Sequence, residues 1–197
     1  MAIVNSYTGI MPTPTRTSID DIVVAARALL ESDGLAGLTM QSVATRVGVR
    51  APSLYKHVGD REDLIRLVSE ATITELGNRM TAVGSTDIGE LAREFRRFAH
   101  DMPAGYHLVF APSAHVPRPT VEALAEAVAP LLAASAALAG PEHALEAART
   151  FTAWANGFLS MELGGGFKLG GDVDAAWEFG LTTIVAAMKT ERRAHDS

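Results

Sequence analysis

Apolar side chains recur along this chain at three- and four-residue spacing, and alternating segments are scarce. Ile19, Ile22, Val23, Ala26, Leu29 and Leu30 form an i, i+3, i+4, i+7 stripe, which predicts a helix with one buried face. Ser18 precedes it with Asp21 three residues on, a capping pair, and Asp33-Gly34 marks its end. Met40, Val43, Ala44 and Val47 predict a second, shorter helix, capped by the Thr39 hydroxyl. Gly48 supplies the turn that follows, because a residue without Cβ reaches positive φ easily. Pro52 fits only the first turn of a third helix, from which Leu54 and Val58 face inward. Asp60 then caps a longer helix to about residue 82, with Leu64, Ile65, Val68, Ile73 and Leu76 inward, and Gly84-Ser85 ends it.

The same periodicity continues downstream. Residues 87–101 predict a helix carrying Ile88, Leu91, Phe95 and Phe98 on one side. Pro103-Ala104-Gly105 is expected to interrupt, leaving a short apolar piece from Tyr106 to Phe110 that stops at Pro112. An alanine-rich helix from Pro119 to Leu138 contains Pro130, which should kink or split it. A helix over 142–163, a glycine-rich link over 164–171 and a last helix from about Asp174 to Lys189 complete the chain. The pattern predicts an all-α protein of eight or nine helices. It divides into an irregular arm over 1–17 with Pro12 and Pro14, a three-helix unit over 18–64, and a helical domain over 65–197.

Composition narrows the class. With 48% apolar and 20% charged residues, a packed core is expected rather than disorder. Cysteine is absent, which removes disulfides, thiolate metal sites and a cysteine nucleophile. The first residues lack a basic side chain before Arg16 and lack the apolar run of a secretory signal. No uncharged apolar stretch reaches the roughly 18 residues a bilayer needs. A cytoplasmic protein without a membrane partner is therefore expected.

The net charge of −6 is unevenly distributed. Residues 1–66 hold seven basic and seven acidic side chains, whereas residues 67–197 hold ten and sixteen. Phosphate binding needs a local basic face rather than a basic chain, and Arg46, Arg50, Lys56 and Arg61 crowd into one segment with His57. Two short helices joined through a glycine are a common way to present one helix to the major groove. With Leu54 and Val58 turned inward, Arg50, Ala51, Ser53, Tyr55, Lys56 and His57 remain outside. Those side chains can touch phosphates and base edges.

The run AARALLESDGLAGLTMQSVATRVGVRAPSLYKHVGDREDLI, within Ser18 to Leu64, resembles the DNA-binding domain of the TetR family of bacterial transcriptional regulators. The helical remainder resembles that family's ligand-binding and dimerisation domain. Trp154-Ala155-Asn156-Gly157 is similar to the Trp-His-Gly motif of one C-terminal subgroup, with Asn156 where histidine is usual. The resemblance implies a homodimer that binds a double-stranded DNA operator and releases it to a small-molecule effector. It further implies that Tyr55 and Lys56 contact backbone or bases, that Thr39 and Arg61 take phosphates, and that Arg50 and Ser53 read bases. Val58 departs from the family's usual phenylalanine, and Arg50 from a small hydroxyl residue.

Catalytic patterns are missing. There is no His-Glu-x-x-His, no Glu-x-x-His and no Gly-x-Ser-x-Gly, and the 164–171 glycines follow no strand. No metal, cofactor or catalytic residue is expected. The aromatic-rich segments supply pocket candidates Phe95, Phe98, Met102, Tyr106, Phe110, Phe151, Trp154 and Phe158. Helices 142–163 and 174–189 are the expected dimer pair, through Phe151, Phe158, Trp177, Leu181, Ile184, Val185 and Met188. The expected function is a repressor released by a small hydrophobic ligand. The alternative is a helical small-molecule-binding protein or enzyme that retains a helix-turn-helix.

Overall fold

In a computed structural model of the chain these stripes close on one another as nine α-helices and one 3-10 turn among the described residues, 17–111 and 115–195. Apart from Thr17, the expected N-terminal arm lies outside the described residues, as does Pro112. Helix α1 spans Ile19–Gly37, with Ser18 and Asp21 in a reciprocal capping box. Gly34 sits within that span at φ 68°, so the chain turns at Asp33-Gly34 as the sequence predicts. Helices α2 (Met40–Val47) and α3 (Ala51–Leu54) follow, joined through Gly48 at φ 80°. The backbone N–H of Gly48 closes α2 by donating to Ala44 and Thr45 carbonyls.

Helix α4 (Arg61–Val83) is capped by Asp60, which accepts from the Asp63 N–H at 2.8 Å. Its first half closes the core of the N-terminal unit with Ile22, Ala26, Val43, Leu54 and Val58. Val58 is fully buried there, so the smaller side chain still seals the floor beneath α3. The core runs past residue 64 through Ile65 and Val68, and it takes in Leu108 from a distant helix. Thus α4 belongs to both cores.

The second core is built from α4, α5 (Ile88–Asp101), α6 (Pro103–Phe110), α7 (Val121–Ala139), α8 (Ala144–Leu163) and α9 (Val173–His195). A 3-10 turn at Pro141–His143 leads into α8. Three expectations change here. The helical run does break before Pro103, but Pro103-Ala104-Gly105 form the first turn of α6 rather than a gap ahead of Tyr106. The missing proline N–H costs nothing there. Pro130 neither splits nor ends α7, which is held between α4 and α8. Helix α9 continues to His195 rather than stopping at Lys189.

Close approach of α4 to α7 depends on Gly77: a Cβ there would lie 2.8 Å from the Ala127 Cα. Helix α7 is long and apolar enough to cross a bilayer by length and composition, and here it packs against protein on two sides. The N-terminal end of α6 meets α1 through a side chain: Glu31 accepts from the N–H groups of Ala104 at 3.1 Å and Gly105 at 2.8 Å. Those are orphan donors of a helix start, satisfied from another helix.

Candidate DNA-contacting face and ligand cavity

Helices α2 and α3 rest their apolar sides on the N-terminal core and turn the rest outward. Arg46, Arg50, Tyr55, Lys56 and His57 are exposed, and Ala51 and Ser53 half-buried. Tyr55 is 55% exposed, so much of its ring faces solvent. Among the described residues, Arg46, Arg50 and Lys56 form no ion pair, although carboxylates abound elsewhere in the chain. Gln41 and Thr45 are also exposed on α2 and belong to the same outward side. They escaped the sequence reading because neither carries charge; their spacing opposite Val43 and Ala44 was the available signal.

Two of the residues expected to take phosphates also have roles within the fold. Thr39 is the N-cap of α2: its hydroxyl accepts from the Ser42 N–H at 3.1 Å and lies in very short contact with the Ser42 hydroxyl. Arg61 turns back onto the α1–α2 connection, donating to the Leu38 carbonyl at 2.7 Å and the Leu35 carbonyl at 2.6 Å. A guanidinium fixed on two carbonyls at a helix end satisfies orphan acceptors there. Arg61 therefore clamps the unit together.

In the second core, α4, α5, α6, α7 and α8 enclose a cavity of about 80 Å³. Phe95, Phe110 and Phe151 line it, with Ile73, Leu76, Met80, Leu91 and Leu131 around them. Thr152 is the one polar side chain in that wall. The other five pocket candidates lie outside it. Phe98 is fully buried in helix packing beneath the Arg79 guanidinium. Met102 is the join between α5 and α6, where its sulfur meets Arg27. Tyr106 stacks on Phe110, and its hydroxyl donates to the Asn156 side chain at 3.1 Å. Burial pushes that phenol up to about 12. Trp154 packs at a tilt against Trp177 at 4.8 Å, and Phe158 meets the same residue edge-on at 5.2 Å.

That aromatic cluster also changes the expected dimer face. Trp177, Leu181 and Phe151 are inside the protomer, at 0%, 2% and 3% exposure, because the α8 and α9 stripes face each other and α5. Ile184 and Val185 pack on the same core, and Phe158 and Met188 are half-buried. Arg96 lies over the Trp177 ring at 5.4 Å and bonds Asp174 at 2.6 Å and Glu162. Burial opposes ionisation of Glu162, but Arg96 and then His100 outweigh it and hold its carboxyl below the usual 4.5. The outward side of α9 instead presents Phe179, 75% exposed, and that of α8 presents Met161, 50% exposed. Neither was singled out from sequence; each is an apolar side chain opposite its helix's stripe.

Comparison with known proteins agrees with this architecture. Residues 22–68 match bacterial regulatory proteins of the tetR family, and residues 88–184 match the tetracyclin repressor-like C-terminal domain. An uncharacterised HTH-type transcriptional regulator of Mycobacterium tuberculosis is 30% identical over 188 residues, covering 91% of this chain and 84% of that protein. The class E tetracycline repressor protein of Escherichia coli is 38% identical over 60 residues, 30% of this chain and 28% of the repressor. The crystal structure of a regulatory protein superimposes with a TM-score of 0.73 at 25% identity, covering 85% of this chain and 94% of that one. A TetR variant from Acinetobacter baumannii, solved with minocycline, shares the fold with a TM-score of 0.64 at 22% identity, covering 89% and 98%. With an exposed helix-turn-helix on one core and a hollow helical domain on the other, the chain belongs to the TetR family of DNA-binding transcriptional regulators.

Proposed function

We propose that the chain is a homodimeric repressor, and not an enzyme, that leaves a palindromic operator when a small apolar molecule occupies the cavity. One contrast carries this reading. Arg66, Arg79, Arg93, Arg96 and Arg97 each pair with a carboxylate, whereas among the described residues Arg46 on α2 and Arg50 and Lys56 flanking α3 do not. Cations left without partners on an exposed helix face are available to phosphate. Arg50, Ser53 and Tyr55 are assigned to base edges, Lys56 and His57 to the backbone.

Dimerisation follows from the outward faces of α8 and α9, where Met161 and Phe179 give up exposed apolar surface to a second copy. A two-fold pair sets two recognition segments about one turn of DNA apart, roughly 34–36 Å. The cavity of about 80 Å³ is smaller than the roughly 150 Å³ that admits benzene. A ligand must therefore push the walls apart, and it selects the wider form by its differential affinity. Phe110 in that wall belongs to α6, the helix that Glu31 ties to the DNA-binding unit.

The test is an electrophoretic shift with DNA from the chain's own promoter region over a salt series. Salt-sensitive binding to a palindrome, weakened about tenfold or more by Tyr55→Ala and by Lys56→Ala, is expected. Binding indifferent to both substitutions and to salt would overturn it.

A further inference from the structure

We infer that the effector is an apolar monocarboxylate whose hydrocarbon body fills the cavity and whose carboxylate rests on Arg149. This rests on the cavity being the effector site. Outside the cavity, between α7 and α8, lies an open groove of about 340 Å³ with Leu132, Leu145, Ala153 and Arg149 in its walls. Val128, Leu131 and Thr152 belong to both the groove and the cavity. The groove thus adjoins the cavity across those three side chains, and a ligand that parts them spans both.

The chemistry changes along that path. Inside, Thr152 is the one polar side chain, so an ionised group there would lose its hydration without a partner. At the rim, Arg149 is exposed. Among the described residues it makes no hydrogen bond or ion pair, although Glu146 stands three positions earlier on the same helix. Its aliphatic stem can extend the apolar wall while the guanidinium stays in water. The arginines of α4 and α5, by contrast, are occupied by carboxylates of the chain itself. A molecule reaching from cavity to rim meets apolar walls, then a hydroxyl, then an unpaired guanidinium. The planar fork of arginine matches a carboxylate through two parallel bonds.

Titration calorimetry on the full chain with decanoate and with methyl decanoate tests the inference. Decanoate should bind more tightly than its ester. Arg149→Gln should weaken decanoate about tenfold while leaving the ester unchanged, and Arg149→Lys should recover part of the loss. Equal binding of acid and ester, unaffected by Arg149→Gln, would overturn the carboxylate assignment and leave the cavity reading standing. Failure of both probes to bind a chain that still holds its operator would overturn the inference; if no other apolar ligand releases that operator, the cavity reading falls as well. A change in association state on Arg149→Gln, in place of a change in decanoate affinity, would assign the groove to contact between copies and overturn it too.

Discussion

The carboxylate of Glu31 in α1 accepts the backbone N–H of Gly105 in α6 at 2.8 Å. Its other oxygen takes the N–H of Ala104, so one side chain of the DNA-binding unit caps a helix of the hollow domain. Leu108, one turn further along α6, is buried in the N-terminal core. A Cβ on Gly105 would lie 3.1 Å from both Glu31 and Thr72, so the contact has no spare room. A displacement of α6 by cavity expansion would have to break this cap or carry α1 with it.

Glu31→Ala should therefore lower stability by about 1–2 kcal/mol, the usual value of a lost helix cap. Urea denaturation measures that loss. Hydrogen exchange at the Ala104 and Gly105 amides should accelerate in the variant, whereas amides in the middle of α9 should not. An unchanged exchange rate at Ala104 and Gly105 would contradict the cap.

Arg61 offers a clean separation between clamping and DNA contact. Arg61→Ala removes two bonds to the Leu35 and Leu38 carbonyls and should destabilise by about 1 kcal/mol, since the side chain is exposed. The dependence of operator affinity on salt should keep its slope. Lys56→Ala should do the reverse, leaving stability intact and reducing the slope by about 1.

Phe179 is exposed in the protomer, so Phe179→Lys should leave thermal unfolding of the isolated chain nearly unchanged. Sedimentation should show the dimer weakened at least tenfold, because a charge replaces an aromatic side chain in a desolvated contact. Trp177→Ala should behave oppositely, costing about 3–5 kcal/mol of folding stability as a fully buried ring.

Acid sensitivity should centre on the carboxylates held by arginine. Hydrogen bonds from Arg93 keep Glu178 below its usual range. For Glu162, Arg96 and His100 prevail over burial. A carboxyl with a depressed folded-state value stabilises the fold in full above its unfolded value, near 4.5 for glutamate. That stability is lost as pH falls through the lower folded value. Stability should thus be level near neutrality with respect to these groups and decline below about pH 4.5. Glu162→Gln should flatten part of the decline while costing stability at pH 7, as read from denaturation midpoints across the acid range.

Much of this protein was legible along the chain because its signals are local. Ser18 with Asp21, Thr39, Gly48, Pro52 and Asp60 each act within a turn of their own position, so caps and breaks could be read without neighbours. Proline was less transparent. Pro103 and Pro130 look alike in sequence, yet one opens α6 and the other sits inside α7, where packing against α4 and α8 holds the helix together.

The sequence by itself determined the helix-turn-helix, the all-helical class and the crowding of cations into one segment, since periodicity and charge spacing are properties of consecutive residues. Only the tertiary structure decided which apolar side chains bound space and which fill it. Phe95, Phe110 and Phe151 line the cavity while Trp177 and Phe98 are packed shut. It also folded Arg61 back onto the Leu35 and Leu38 carbonyls and joined Glu31 to α6. Those outcomes depend on contacts between segments far apart in the chain, and a stripe of apolar residues records that a face is buried but not what it is buried against.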